Sequence, residues 1–285
     1  MVNRERLVPV IVASPLFLQN LDSSALATAL PNIAHSLQVP ALHLNLAITS
    51  YLLSMAVFLP VSAWLAERFG TKRVFCMAIV LFSLGSALCG AATSLPELVL
   101  FRVLQGLGGA MMVPVGRLIL LRSVAPAQMV SAMVWFTVPP VIGRMMGPMF
   151  GGAVVTMTSW RWIFLVNIPF GILAVMLAMA FVEDQREDAR PPPFDVLGFV
   201  LLGLGLSALL GAMETAGKNL VSPLVSWLAA LAGVGALALY GWRSRTSDAP
   251  LIDLAILRFR TFRTNVVGAT TLRIAIGAAP FLLPL

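Results

Sequence analysis

The chain alternates long apolar runs with short polar connections, and the apolar positions do not recur every second residue. Continuous runs of this kind predict membrane-crossing helices and argue against a barrel, whose strands alternate lipid-facing and lumen-facing side chains. The runs lie at about 8–30, 46–66, 74–93, 98–118, 129–155, 162–182, 196–214 and 222–242, and a ninth begins near 264 and is still apolar at Leu285. The eight complete runs come close to the roughly 20 residues a helix needs to cross a bilayer core. The first follows Arg4 and Arg6 and precedes the small residues Ala25, Ala27 and Ala29, as a secretory leader would. Asp22 interrupts it where a cleaved leader is small and neutral, so it reads as the first span.

Composition strengthens the pattern. The sequence is 59% hydrophobic and 11% charged with a mean hydropathy of +0.93, whereas soluble domains are about a quarter charged. The fold class expected is an all-α integral membrane protein. A net charge of +7 does not indicate nucleic acid, because no basic run is interleaved with aromatics. Set against the predicted loops, it sorts by side. Arg4, Arg6, Arg68, Lys72, Arg73, Arg122, Arg186, Arg190, Arg243, Arg245, Arg258, Arg260 and Arg263 fall on one side, and only Arg161 and Lys218 on the other. That bias predicts a cytoplasmic N-terminus in a bacterial-type inner membrane.

The segment Pro139 to Gly152, PPVIGRMMGPMFGG, is the least like a soluble helix. Gly143, Gly147 and Gly151 recur every fourth residue, stack on one face and admit a neighbouring backbone, which is how helices associate in lipid. Arg144 interrupts that apolar stretch with a charge. A further break comes at 183–195, EDQREDARPPPFD, whose three prolines make a stiff spacer. It divides a six-helix unit (1–182) from two apolar helices with no charge of their own to bury (196–242), a basic loop (243–263) and the start of another unit (264–285).

Several of these stretches together resemble the major facilitator superfamily, and in particular its fourteen-helix drug:proton antiporter family. LQNLDSSALATALPNI (Leu18 to Ile33) resembles that family's first-helix signature, with Asp22 as its acid. AWLAERFGTKRVF (Ala63 to Phe75) is similar to the superfamily's Gly-x-Leu-Ala-Asp-Arg-x-Gly-Arg-Lys loop, with Ala63, Glu67 and Thr71 as departures. FRVLQGLGGAMMVPVGR (Phe101 to Arg117) resembles the fourth-helix motif with its embedded arginine, here Arg102. Gly143, Gly147, Pro148, Gly151 and Gly152 match the antiporter motif Gly-x-x-x-Gly-Pro-x-x-Gly-Gly, and SWRWIFLVNIPFG (Ser159 to Gly171) matches the entry into helix six. Within the family the likeness leans to the MdtD and HsrA type of exporter, through QGLGGAMMVPVGR and LRFRTFRT (Leu257 to Thr264). The resemblance implies two six-helix bundles, two intervening helices and alternating access around a central cavity. This sequence then supplies the first bundle, the extra pair and the start of the second bundle, and is expected to be cut short.

An ionised side chain at mid-membrane costs about 2.5–3.5 kcal/mol even on insertion scales, so Asp22, Arg102, Arg144 and Arg273 each need a reason. Asp22 and Arg102 are the expected proton-coupling pair. An arginine beside an acid favours the charged carboxylate and removal from water disfavours it, an opposition a carrier uses to take up and release a proton. The competing reading is a static ion pair that fixes helix packing. Arg144, Met111, Met145 and Gln105 are expected to line the substrate cavity, with Arg144 reaching Asp22 or the substrate and the methionines giving either an adaptable apolar wall or ordinary helix-packing filler. By resemblance Glu67, Arg68, Gly70, Lys72 and Arg73 form a gate latch on the cytoplasmic side, with Glu67 facing a helix terminus of the second bundle.

Other features carry less. Cys76 and Cys89 are 13 residues apart on one predicted helix, about 20 Å along its axis, which is too far for a disulfide. His35 and His43 have no carboxylate or cysteine between them, and the run from Gly106 to Gly109 sits within a membrane helix instead of after a strand. Trp160 and Trp162 read as interfacial anchors. No nucleophile with a base, ATP-binding loop or metal-ligand cluster is evident, so neither an enzyme, a cofactor nor a metal is expected. The implied partners are a small-molecule substrate, protons, the lipid bilayer and an outer-membrane efflux system, with no nucleic acid. Two rivals remain: a carrier for a specific anionic metabolite, favoured by one acid set against Arg102 and Arg144, and a shortened membrane protein without transport activity.

Overall fold

The computed structural model describes residues 4–184, 193–216, 222–247 and 249–282, and the regular structure among them is entirely helical. In chain order the helices are α1 Arg4–Leu37, α2 Asn45–Phe58, α3 Val61–Phe69, α4 Thr71–Ala91, α5 Leu95–Ser123, α6 Met129–Met157, α7 Trp162–Leu165, α8 Asn167–Phe181, α9 Val196–Thr215, α10 Pro223–Arg243 and α11 Arg260–Leu282. Eight membrane-crossing segments are long and apolar enough among the described residues. The second expected span is divided at Leu59–Pro60 into α2 and α3, and the sixth at Val166 into α7 and α8. The ninth expected span is a helix, α11, but it is not among the eight, and Arg260, Arg263 and Arg273 lie along it. Arg186, Arg190, Lys218, Leu285 and most of the proline-rich connection lie outside the described residues.

Prolines inside membrane helices leave carbonyls without an N–H four residues on, and lipid offers no replacement donor. Two are satisfied by serines. Pro15 in α1 frees the carbonyl of Ile11, which accepts from Ser14 Oγ at 2.9 Å. Pro148 in α6 frees the carbonyl of Arg144, which accepts from Ser24 Oγ of α1 at 2.8 Å. The second bond joins two helices, so a break in one helix becomes a tie to its neighbour.

That tie lies in the most extensive helix pairing of the molecule, α1 on α6. The glycine face expected from the sequence forms the seam. Gly143 abuts the Phe17 carbonyl, Gly147 abuts Ser24, and a Cβ at Gly151 would stand 2.6 Å from the Ala25 carbonyl oxygen. Gly152 is a correction: a Cβ there would meet nothing within 4 Å, so it is not part of the seam. Pro148 is exposed, and its contribution is the carbonyl it frees. The α4–α5 and α2–α5 pairings complete the bundle, and α9 and α10 pack on each other and reach it through α2.

The apolar core is split into two clusters. One gathers Val12 and Leu16 of α1, Phe75 and Phe82 of α4, Met112 and Ile119 of α5 and Ala178 of α8. The other gathers Leu26 and Ile33 of α1, Cys89 of α4, Leu98 of α5 and Phe164 of α7. Along each helix the residues between the clusters are the buried polar ones: Gln19 and Asp22, Ser86, Arg102 and Gln105, and Asn167. A polar layer therefore crosses the bundle between two hydrophobic ones.

Candidate functional site

The layer centres on Asp22 and Arg102, each 1% exposed. Arg102 Nη1 donates to Asp22 Oδ2 at 2.7 Å and to Gln105 Oε1 at 2.7 Å. Gln105 Nε2 donates to the same carboxylate oxygen at 3.3 Å, and Asn167 Nδ2 donates to Oδ1 at 3.2 Å. Asn167 Nδ2 also donates to Ser86 Oγ at 2.9 Å, and that hydroxyl donates to the Phe164 carbonyl at 2.9 Å. The guanidinium carbon lies 5.0 Å from the Tyr51 ring centre and 5.1 Å from that of Phe164. Side chains from α1, α2, α4, α5, α7 and α8 thus converge on one charge pair.

Close helix approach makes the convergence possible. A Cβ at Gly85 of α4 would stand 2.6 Å from the Gln105 backbone nitrogen, and one at Gly106 of α5 would stand 2.6 Å from the Tyr51 carbonyl oxygen. Without these glycines α4 and α2 would be held away from α5, and Ser86 and Tyr51 with them. Beside the pair, Gln19 Nε2 donates to Tyr51 Oη at 3.1 Å and to the Gly109 carbonyl at 3.3 Å. The carboxylate accepts three hydrogen bonds from neutral and cationic donors, which is how a buried charge is tolerated. Asn167 Oδ1 and Arg102 Nε are buried without a partner among the described residues.

The expected site residues do not all meet here. Asp22, Arg102 and Gln105 do. Arg144 does not reach Asp22: its side chain is exposed, and its backbone carbonyl accepts from Ser24 of α1. Met111 is 2% exposed and belongs to the apolar core, while Met145 is 74% exposed on α6, so the two do not share a wall. Trp160 is also corrected. It is buried edge-on to Phe164 and carries Arg161 over its ring, while Trp162 is exposed. Residues the sequence reading passed over are Asn167, Ser86, Gln19, Tyr51 and Cys89, whose Sγ lies 3.7 Å from Gln105 Oε1. The available signal was a polar residue inside an apolar span at the depth of Asp22.

The turn at Gly70 is a second constellation. Gly70 has φ 92°, a left-handed conformation glycine adopts at little cost, and a Cβ there would stand 2.6 Å from Asp184 Oδ1. Arg73 Nε lies 3.3 Å from Asp184 Oδ2, and Lys72 Nζ donates to the Met179 carbonyl at 2.7 Å near the end of α8. Arg68 lies over Trp64 at 5.4 Å, and Glu67 is half-buried. Lys72 therefore closes onto α8 of this bundle, and Arg73 onto the start of the connection that follows it.

The sequence matches the family described as Major Facilitator Superfamily over residues 14–283. The chain belongs to the major facilitator superfamily. This superfamily member is 43% identical over 276 residues to a protein of Klebsiella pneumoniae subsp. pneumoniae named as a candidate multidrug resistance protein, MdtD. It is 42% identical over 275 residues to the protein of the same name from Escherichia fergusonii. Each alignment covers 96% of this chain and 58% of the relative, so the chain spans little more than half the length of these proteins. Among solved structures, a bacterial homologue of the human lysosomal transporter Spinster superposes with a TM-score of 0.58 at 19% identity, over 85% of this chain and 61% of that one. The proton:xylose symporter XylE superposes with a TM-score of 0.56 at 13% identity, over 84% and 54%. At those identities the likeness speaks to the fold, and the protein is a multi-pass membrane member of the superfamily.

Proposed function

We propose that the chain is the proton-handling part of a secondary transporter that exports drug-like or amphipathic small molecules in exchange for protons. Its setting is a bacterial-type inner membrane, with the N-terminus in the cytoplasm. The observation that carries this reading is the buried Asp22–Arg102 pair, held by amide side chains between two apolar clusters. An intramembrane acid is expensive, and its persistence among rearrangeable partners points to proton traffic. Asn167 suits both states of the acid. Its Nδ2 donates to the carboxylate as observed, and after an amide flip its unpartnered Oδ1 accepts from the protonated carboxyl. Arg102, released from the charge, then keeps Gln105 and the Tyr51 and Phe164 rings as partners.

In this scheme residues 1–182 form the first bundle, 183–195 the linker, 196–242 the additional pair, 243–263 a cytoplasmic loop and 264–285 the start of a second bundle. The Gly70 turn, with Glu67, Arg68, Lys72 and Arg73, acts as the gate latch. An outer-membrane efflux system would receive the exported compound. The test is substrate accumulation in cells producing the protein, with and without a collapsed proton gradient. Loss of the gradient-driven difference in Asp22→Asn, with membrane insertion unchanged, is expected. Gradient-dependent export that survives Asp22→Asn, or its absence with the unaltered chain, overturns the reading.

A second reading, an anionic substrate, rests on a separate observation. Asn20, Ser24, Thr28 and Asn32 recur every fourth residue along α1, half-buried or exposed, and Arg144 borders that stripe through the bond from Ser24. A polar row beside a charge does not suit lipid, and with Asp22 and Arg102 neutralising each other the uncompensated charge on this face is positive. Arg144→Ala would then weaken export of anionic compounds and spare cationic ones.

A further inference from the structure

Where α10 ends, the chain folds back and forms a pocket of about 630 Å³ bordered by Ser244, Arg245, Ser247, Asp253, Arg258 and Arg263. Its frame is built from hydrogen bonds. Tyr240 Oη donates to the Ile252 carbonyl at 3.0 Å and accepts from the Ile252 N–H at 2.7 Å, and Ser244 Oγ donates to the same carbonyl at 2.9 Å. These bonds pin the returning loop against the last turn of the helix. Among the described residues bordering the pocket, the ionisable ones are three arginines and one aspartate, and Asp253 Oδ1 accepts from the Ala255 N–H at 2.8 Å. No ion pair joins Arg245, Arg258 or Arg263 to an acid among the described residues.

Three arginines that border one concave site and have no acid partner among the described residues ask for a multivalent oxyanion, since a guanidinium presents a fork of donors that matches phosphate geometry. The surroundings narrow the source. The pocket begins one residue beyond a membrane-crossing helix that ends at Arg243. Trp242 and Phe259 beside it are 66% and 67% exposed, large aromatics of the kind that sit at headgroup level. Ile256 and Leu257 are exposed next to Arg258, a surface that suits an acyl-bearing ligand better than a free ion. We infer that this basic pocket binds the phosphate headgroup of an anionic phospholipid, with the guanidiniums on the phosphate and the aromatic and aliphatic side chains against the lipid body. The bound lipid would fix the loop that joins α10 to α11.

The experiment is native mass spectrometry of the purified full chain in mixed phosphatidylglycerol and phosphatidylcholine, counting lipids retained after detergent removal. Phosphatidylglycerol is expected to be retained selectively. Arg245→Gln, Arg258→Gln and Arg263→Gln should each lower retention about fivefold, the factor expected per cation near an anionic surface. Salt should weaken retention by the parent and narrow its difference from these variants, because it screens the attraction. Arg117→Gln, an exposed arginine on α5, should change nothing, and circular dichroism should show each variant as helical as the parent. Equal retention of the two lipids, or a loss with Arg117→Gln as large as with the pocket variants, overturns the proposal. Displacement of phosphatidylglycerol by millimolar inorganic phosphate would reassign the pocket to a soluble anion and overturn the lipid source.

Discussion

Two aspartate–arginine pairs stand at nearly the same distance in this molecule and have opposite surroundings. Asp22 and Arg102 meet at 2.7 Å with their side chains at most 1% exposed, and Asp195 and Arg243 meet at 2.8 Å with the arginine 34% exposed. The first joins mid-helix positions and gathers amides around the acid. The second joins helix ends: Asp195 caps α9 by accepting from the Gly198 N–H at 2.9 Å and receives Nη2 of Arg243 from the end of α10. Asp195 belongs to the connection that precedes this helix pair, and its carboxylate is buried against the pair's ends. Removed from water, a pair is costly to break because one charge is stranded; Asp195 is 3% exposed but keeps the Gly198 N–H as a donor if Arg243 is lost, and Arg243 reaches water. Asp22–Arg102 thus ties six helical segments together at mid-membrane, and Asp195–Arg243 ties the ends of α9 and α10.

The comparison can be broken most forcefully at Arg102. Arg102→Ala should cost about 3–5 kcal/mol by leaving Asp22 buried and uncompensated, read as a fall in unfolding temperature in detergent. The double variant Asp22→Asn, Arg102→Gln should recover a large part of that loss, because the two changes share one interaction and are not additive. At the helix-end pair, Arg243→Ala should cost about 1–2 kcal/mol, seen as faster hydrogen exchange in the first turn of α9 and the last of α10 while the polar layer stays protected.

Acid sharpens the same contrast. Burial opposes the charge on Asp195, but the hydrogen bonds from Arg243 and the Gly198 N–H outweigh it and hold the carboxyl below the usual aspartate range. A lowered folded-state value means the stabilisation is complete above the ordinary aspartate pKa of about 4 and is lost as pH falls through the lower folded value. Exchange protection of the α9–α10 hairpin should therefore weaken only below about pH 4, and Asp195→Asn should remove that dependence. The smallest effect belongs to the exposed pair at the Gly70 turn. Arg73→Ala should change stability by at most about 0.5 kcal/mol, checked by the same thermal unfolding.

The order of the first eight crossing segments was legible because apolar runs of bilayer length have few other uses. Asp22, Arg102 and the face of Gly143, Gly147 and Gly151 were legible for a related reason: a charge or a glycine repeat in such a run is conspicuous. What the sequence hid was azimuth. Arg144 follows Gly143 by one residue, about 100° around the helix, and that single step turns it from the seam to the exposed face. Met111 and Met145 differ in the same way, one turned into the core from α5 and the other onto the exposed face of α6. Asn167 and Ser86 were hidden because their positions at the depth of Asp22 emerge only once four helices are set side by side.

The serine that answers Pro148 has a consequence for how this seam can change over generations. With proline at 148, losing the Ser24 hydroxyl strands the Arg144 carbonyl at the helix contact; with alanine there, the restored N–H satisfies it and position 24 is released. The substitutions are therefore ordered: Pro148→Ala first opens a passable route to Ser24→Ala, and the reverse order crosses a fitness valley. Two sites 124 positions apart in the chain would be inherited as one character.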